Sequence, residues 1–371
     1  MVKLTAEAAR RLGRTSGSGR VHSAFARAVN VELDGAGWVS LHAPGPIPAP
    51  FGIVCEPWMD GRSLAGAPVR VEVDTLIVGD GLRIELGGAE VVDTTLASPA
   101  PMPRVFRCLD LAEASGHAGR GLLPVVSALL TGRATPTGAL SRVAGPALAR
   151  LADATAAGDP DGCVRAGRPL LGLGPGLTPA GDDVLVGWLA GLWASGGQGR
   201  RLLAAVGREL AAAAAERTGA LSRAFLLAAV DGQAAEPVWA FVRQPDETRV
   251  RALLALGASS GADLLAGYLL ARHALGLRAT RPSGPATPPV ERALPSGVRA
   301  LPLRAWTVPS RAGTQLSEVA IPPRETGTEP YGAATPPVGA VTVLSGTRKP
   351  SSRAWAPPAQ TEDATLTAVQ A

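Results

Sequence analysis

The chain is poor in cysteine and in aromatic residues. Its three cysteines, Cys55, Cys108 and Cys163, are odd in number and show no CxxC spacing. This pattern argues against a disulfide framework or a zinc site and indicates a reducing cytosol. Aromatic residues make up only 4% of the sequence, which leaves few rings on which the bases of a nucleic acid could stack.

Long apolar runs are also missing. The longest follows Asp183 and is interrupted by glycine, and the segment MVKLTAEAARRLGR lacks the apolar core of a signal peptide. The formal net charge is +5, but nine Lys and Arg against six Asp and Glu from Thr280 onward place +3 of it in the last part of the chain. We therefore expect a cytoplasmic protein with neither a membrane nor a nucleic acid as its partner.

Short aliphatic segments between glycine-rich turns predict a β-rich domain over residues 1–115. The clearest strands are 28–33, 38–43, 69–73 and 82–86. Charged and aliphatic residues alternate in VRVEV and LRIEL, which is typical of strands with one face in water. We expect a small antiparallel sheet or a partial barrel.

The pattern changes to alanine and leucine at helical spacing between Asp110 and Gly121. This predicts a helical domain over residues 116–279. Its segments lie near 121–131, 138–157, 183–195, 200–216, 219–231, 236–243, 247–256 and 261–275. Residues 280–371 hold 15 of the 33 prolines without periodicity, so we expect a disordered proline-rich tail. Together these parts predict an α+β fold.

One stretch, residues 171–183, concentrates unusual residues in the sequence LGLGPGLTPAGDD. Its glycines permit backbone conformations with positive φ and a close approach of a ligand to the main chain, and its prolines stiffen the loop between them. An apolar segment follows directly, so the loop should deliver its last amides to the N-terminus of a helix. That arrangement suits an anion.

Two adjacent carboxylates, Asp182 and Asp183, end this loop. The helix dipole accounts for one of them, and two exceed what capping requires. Neighbouring side chains leave a helix in different directions, so we expect one of the pair to cap or orient the loop and the other to face the site, directly or through Mg²⁺, with Asp183 as the candidate metal ligand. The loop has neither the Lys followed by Ser or Thr of a phosphate-binding P-loop nor the surroundings of a dinucleotide fingerprint, so no nucleotide is expected.

Further candidates come from the neighbouring segments. Arg217 can bind a carboxylate or phosphate through two hydrogen bonds, although an arginine at this position is equally well explained as a solvated surface charge. Thr218 and Ser260 also suit helix caps, and His22 stands alone, as structural histidines do. The catalytic candidates are Asp182 and Asp183, and the substrate-binding candidates are Gly172, Gly174, Gly176, Thr178, Gly181, Arg217, Thr218, Ser260, Gly261 and His22.

The sequence repeats part of this helix start 80 residues later. Gly181, Asp183, Leu185, Gly187, Trp188 and Leu189 then align with Gly261, Asp263, Leu265, Gly267, Tyr268 and Leu269. Any helix with a small cap, an early acid and buried leucines would match in part. If the repeat is real, the two helix N-termini should lie side by side and share one site.

Three segments together resemble a known bacterial family: LGLGPGLTPAGDDVLVGWLAGL, ERTGALSRAFLLAAVDG and GASSGADLLAGY. The family includes the smaller, AllH-type subunit of the oxamate carbamoyltransferase of allantoin degradation. The resemblance covers residues 20–277, including VHSAFARAVNVEL and HAPGPIPAPFGIV, and GLGPGLTPAGDD is its most specific motif. A serine is common in the family at the position of Ala180, so one hydroxyl ligand is missing here.

The resemblance implies transfer of a carbamoyl group between oxalurate, phosphate, oxamate and carbamoyl phosphate, by one subunit of a multi-subunit enzyme of nitrogen and purine catabolism. Glycine amides would stabilise a phosphate or oxyanion, and Arg217 would bind a substrate carboxylate. The alternative is a non-catalytic subunit that senses an anion or acts as a scaffold. Independent phosphotransfer from a nucleotide is the least favoured, because no nucleotide motif is present.

Overall fold

A nine-stranded curled sheet, shaped like half a barrel, occupies the first 92 residues of the computed structural model, which describes residues 1–13, 17–134 and 136–279. The strands are β1 (Val2–Thr5), β2 (Ser18–Phe25), β3 (Ala28–Leu33), β4 (Gly37–His42), β5 (Gly52–Cys55), β6 (Pro68–Glu72), β7 (Thr75–Val78), β8 (Leu82–Glu85) and β9 (Glu90–Val92). Their order across the sheet is β8-β7-β6-β2-β3-β4-β5-β1-β9.

Alternation decides which face of each strand is buried. In β6, Val69 and Val71 are buried while Arg70 and Glu72 are exposed, as the period of two in a strand requires. Six of the eight strand pairs are antiparallel, and the pairs β4–β5 and β1–β9 are parallel. A short helix, α1 (Ala6–Leu12), covers the core face of the sheet. The partial barrel predicted from the sequence is confirmed.

Helices form the rest of the described chain and confirm the α+β class. They are α2 (Val105–Ala114), α3 (Leu123–Thr131), α4 (Ala139–Ala157), α5 (Pro160–Gly167), α6 (Ala180–Ala194), α7 (Gly197–Ala213), α8 (Ala220–Val230), α9 (Glu236–Arg243), α10 (Glu247–Leu254) and α11 (Ser260–Ala279). The domain boundary after residue 115 stays a prediction, and α2 ends one residue before that position. The predicted tail, 280–371, lies outside the described residues.

The centre of the helical part is α6. Almost every one of its residues is buried, because alanine, glycine and leucine occupy all its faces instead of one stripe. Trp188 is completely buried and donates its indole N–H to the Thr155 hydroxyl at 3.0 Å. Despite this apolar character, no helix in the described part of the chain is both long enough and apolar enough to cross a bilayer.

Glycines let α6 and α11 cross at close range. A methyl group on Gly187 would lie 2.0 Å from the carbonyl oxygen of Leu264, and one on Gly267 would lie 1.9 Å from that of Val184. The two contacts correspond in the repeat, because Gly267 lies 80 residues after Gly187 and Val184 lies 80 residues before Leu264. Each helix therefore places a glycine against the backbone of the other at corresponding positions of the repeat.

The loops before the two helices differ in register. Gly181 donates its amide to the Leu173 carbonyl and Gly261 donates to the Leu256 carbonyl, both at 2.9 Å. In each case the carbonyl of the leucine three residues earlier leaves no room for a side chain on the glycine. These acceptors lie 83 residues apart and not 80, so the correspondence is limited to the helices, and a true internal repeat stays a prediction.

Candidate functional site

A cavity of about 1080 Å³ lies between the sheet and the helices. One wall comes from the sheet, with Asn30, His42 and residues 44–50, where prolines stand at every second position. The opposite wall comes from the glycine-rich loop, the start of α6 and the start of α11. Most of the lining is carbon, with a small number of polar groups, which is the usual make-up of a small-molecule site.

The glycine-rich loop has a fixed shape. Gly172 has φ of 73° and Gly174 has φ of 117°, both in the region that side chains disfavour. A methyl group on Gly172 would also lie 2.1 Å from the carbonyl oxygen of Arg217. The loop therefore packs its first glycines against the protein and turns residues 175–178 towards the cavity.

Asp182 holds this loop in place. Its carboxylate accepts the Gly172 amide at 2.9 Å, the Ser222 hydroxyl at 2.8 Å and the Thr218 hydroxyl. The side chain is 1% exposed and does not line the cavity. The structure thus places Asp182 and Thr218 in the framework that joins the loop to the start of α8, and a direct role for either in catalysis or substrate binding stays a prediction.

Asp183 faces the cavity from the first turn of α6. It is 5% exposed, and its Oδ2 atom has no hydrogen-bond partner among the described residues. Burial raises the pKa of its carboxyl group to about 8; Ser260 lowers it, Asp263 raises it, Thr178 lowers it and Asp182 raises it. The group is therefore largely protonated at neutral pH and can donate a hydrogen bond into the cavity.

The two helix N-termini meet at this carboxyl group. The hydroxyls of Thr178 and Ser260 lie 3.4 Å apart, and both line the cavity. The side-by-side arrangement expected from the repeat is therefore present. Asp263, the counterpart of Asp183, does something else: its Oδ1 accepts the Leu122 amide at 2.6 Å, and burial raises the pKa of its carboxyl group to about 7.

Two polar residues of the sheet wall, His42 and Asn30, were not among the site residues predicted from the sequence. His42 ends β4, is 9% exposed and leaves Nε2 without a hydrogen-bond partner among the described residues, and burial lowers its pKa to about 4. Asn30 accepts the Ser40 hydroxyl at 2.6 Å and donates to the Ser23 hydroxyl at 3.0 Å. A usable signal was the motif HAPG, which puts a histidine where a strand meets a proline-rich loop.

The remaining predicted residues lie elsewhere. The Arg217 side chain is exposed and outside the cavity lining, and so is His22, whose ring contacts the Trp38 ring edge-on at 5.0 Å between centroids. Gly176 lines the cavity, whereas Gly181 and Gly261 pack against backbone carbonyls. A substrate-binding role for the residues outside the lining stays a prediction.

The guanidinium group in the cavity lining belongs to Arg27. This residue lies in the turn between β2 and β3, is exposed and donates to the Pro44 carbonyl at 3.1 Å. Because the turn belongs to the sheet part, its approach to the cavity could not be predicted from the sequence. Arg27 can meet an anion at the open edge of the cavity.

The donor set does not fit a magnesium ion held by the protein alone. Both carboxylate oxygens of Asp182 are occupied by hydrogen bonds, and the pKa of Asp183 is raised, which opposes the charged form. Among the described residues, no group of three or more His, Cys, Asp or Glu side chains is placed to hold a metal. Magnesium at Asp183 stays a prediction.

The fold and site define an α+β protein with a small-molecule cavity between a curled sheet and a helical bundle. Residues 170–272 match the family model described as oxamate carbamoyltransferase subunit AllH, and residues 2–91 match the AllH family N-terminal domain. The chain belongs to the AllH family. No solved structure matches it. The two matched segments contain both walls of the cavity, and the family description is that of a subunit of a transferase.

Proposed function

We propose that this chain is a subunit of a carbamoyltransferase complex of nitrogen and purine catabolism, and that it binds a small anionic substrate such as oxamate, oxalurate or carbamoyl phosphate in the cavity. The observation that carries the proposal is the position of Asp183. The residue lines the cavity, its Oδ2 atom is buried without a hydrogen-bond partner among the described residues, and it lies in a segment that matches the family model.

The chemistry of the lining supports this assignment. Carbamoyl transfer needs donors for the carbonyl oxygen, where negative charge develops, and a group that exchanges a proton with the attacking or leaving nitrogen. The hydroxyls of Thr178 and Ser260 can supply donors. Asp183, with its pKa raised to about 8, can give and take a proton near neutral pH. The Arg27 guanidinium supplies a positive charge for the anionic end.

The test is reconstitution with the partner subunits. Consumption of carbamoyl phosphate in the presence of oxamate is measured for the full chain alone, for the partner subunits alone and for the mixture. The proposal predicts turnover only in the mixture. Equal turnover by the partner subunits without this chain would contradict a part in catalysis.

A non-catalytic subunit that senses an anion is the second candidate, and the position of Arg27 in the cavity lining is compatible with it. It predicts that the chain binds oxamate or carbamoyl phosphate while turnover by the partner subunits does not need an intact Asp183. Calorimetric titration together with the reconstitution assay separates the two candidates.

A further inference from the structure

Three residues that line the cavity each keep one buried side-chain atom without a hydrogen-bond partner among the described residues. These atoms are Nε2 of His42, at the end of β4, Oδ2 of Asp183, in the first turn of α6, and Oε1 of Gln233, just after α8. His42 and Asp183, on opposite walls, are more than nine-tenths buried. Buried polar atoms are almost always paired, so unpaired atoms on the lining of one cavity indicate a ligand that completes them.

The surroundings restrict that ligand. Most of the lining is aliphatic and aromatic, with contributions such as Val186, Leu264 and Phe225. An ionised group would lose its hydration there without gaining a charged partner. A planar amide or ureido group has no charge to desolvate, and it offers both N–H donors and a carbonyl acceptor.

The side chains present match such a group. His42 is neutral at physiological pH because burial lowers its pKa, so Nε2 can accept an N–H or donate one, according to its tautomer. Asp183 is protonated and can donate to a carbonyl oxygen. Asn30 uses one amide hydrogen on Ser23, which leaves the second for the ligand.

Positive charge enters the lining only at the exposed edge, as far as the described residues show. Arg27 stands there, next to Phe25, which is 49% exposed. A carboxylate or phosphate at this edge keeps part of its hydration and gains a guanidinium partner. The polar features of the cavity are thus divided between a buried uncharged part and an exposed cationic part.

We propose that the cavity binds two groups of its substrate at two places. The uncharged carbamoyl or amide group is hydrogen-bonded between His42 Nε2 and Asp183 Oδ2, and the anionic group is bound at Arg27. This assignment rests on the proposed function and adds to it the orientation of the substrate. It also makes His42 a specificity residue that distinguishes an amide from a second carboxylate.

Binding of two matched anions tests the assignment. Oxamate carries one amide and one carboxylate, whereas oxalate has the same carbon frame with two carboxylates. Titration calorimetry of the full chain, alone and with its partner subunits, should show oxamate binding at least tenfold tighter than oxalate. His42→Leu should remove this preference by weakening oxamate tenfold or more without weakening oxalate, and Arg27→Gln should weaken both anions.

The outcomes separate this inference from the proposed function. Oxalate bound as tightly as oxamate, or an equal loss of both anions in His42→Leu, would overturn the two-part assignment while leaving carbamoyl transfer standing. Failure of oxamate and carbamoyl phosphate to bind, even with the partner subunits, would contradict the proposed function itself.

A measurement on the unmodified protein tests the assignment even when the His42→Leu variant does not fold. The histidine ring signals are followed by nuclear magnetic resonance during addition of oxamate. The ring of His42 should shift, and that of His22, which is exposed outside the cavity lining, should not. Bound oxamate that leaves the His42 signals unchanged would overturn the assignment.

Discussion

At the residue scale, two adjacent aspartates have separate environments. Asp182 accepts three hydrogen bonds inside the framework, whereas Asp183 lines the cavity and keeps one oxygen without a partner among the described residues. Their divergent directions follow from the 100° between consecutive helix positions, and the sequence predicted that division. It could not say which partners Asp182 has, because Thr218 and Ser222 reach it only through folding of the chain.

Replacing Asp182 with alanine should destabilise the protein by roughly 2–4 kcal/mol, because one amide and two hydroxyl donors would lose their acceptor in a buried place. The measurement is urea unfolding followed by circular dichroism. Asp153→Ala is the matched control, since Asp153 is an exposed aspartate of α4. A loss below 1 kcal/mol would contradict the role given to Asp182.

The pKa of Asp183 predicts a dependence of stability on pH. The unfolded carboxyl group ionises near 3.8, and the folded one holds its proton up to about 8. Between these values folding takes up a proton, so the free energy of unfolding contributed by this group falls as pH rises from about 4 to about 8. Asp263 contributes in the same direction.

Asp183→Asn should therefore lose less stability than the unmodified protein between pH 5 and pH 8. Urea unfolding at pH 5 and pH 8 gives the loss of unfolding free energy for each protein. Asp263 is present in both proteins, so its contribution cancels in the comparison. Identical losses would show that the Asp183 carboxyl group titrates near its ordinary pKa.

At the element scale, α6 and α11 hold the site together. Their N-termini bring Thr178, Asp183 and Ser260 to one point, and their crossing depends on Gly187 and Gly267. The repeat in the sequence predicted this neighbourhood. The length of the loops and the order of the sheet strands did not follow from it, since they depend on contacts between distant residues.

Gly187→Ala should destabilise the protein by about 2 kcal/mol or more, because a methyl group 2.0 Å from a backbone carbonyl oxygen would force the two helices apart. Gly276→Ala, in α11, is the matched control: its methyl group would lie 3.4 Å from the end of the Met102 side chain. That variant should be neutral or more stable, since alanine is the better helix former. Thermal unfolding compares them, and equal effects would contradict the close crossing.

Several elements were not predicted from sequence, for two reasons. The strands β1, β5 and β7 are short, with four residues each. The helix α5 begins with proline and contains glycine, a composition that is more typical of a turn. Strands of this length are fixed by their neighbours in the sheet more than by their own pattern. Most of the longer, periodic elements were predicted, and β3 has the predicted bounds, 28–33. Two longer elements, β2 and α2, were missed.

At the scale of the whole molecule, the site forms where the sheet meets the helices. The sequence predicted its helical wall, because the glycine-rich loop and both helix starts are local patterns. The sheet wall was missed, since the approach of Asn30, His42 and Arg27 to that loop results from packing between the two halves of the chain.

Arg27→Gln and Arg217→Gln form a matched pair that tests which half supplies the anion partner. Arg27 lines the cavity and Arg217 is exposed outside its lining. In the reconstituted complex, Arg27→Gln should raise the KM for oxamate about tenfold, since a charge-assisted pair contributes roughly 1.5–3 kcal/mol. Arg217→Gln should leave the KM unchanged. The reverse result would return the anion site to Arg217.

The role of Asp183 as the proton-exchanging group of the cavity is tested most directly by its replacement with asparagine. Turnover of carbamoyl phosphate with oxamate is measured in the complex reconstituted with Asp183→Asn, and Asp153→Asn serves as the control. The account predicts that Asp183→Asn assembles with the partner subunits, keeps the fold and loses turnover by a factor of about 100 or more. Turnover within a factor of two of the unmodified complex would contradict it.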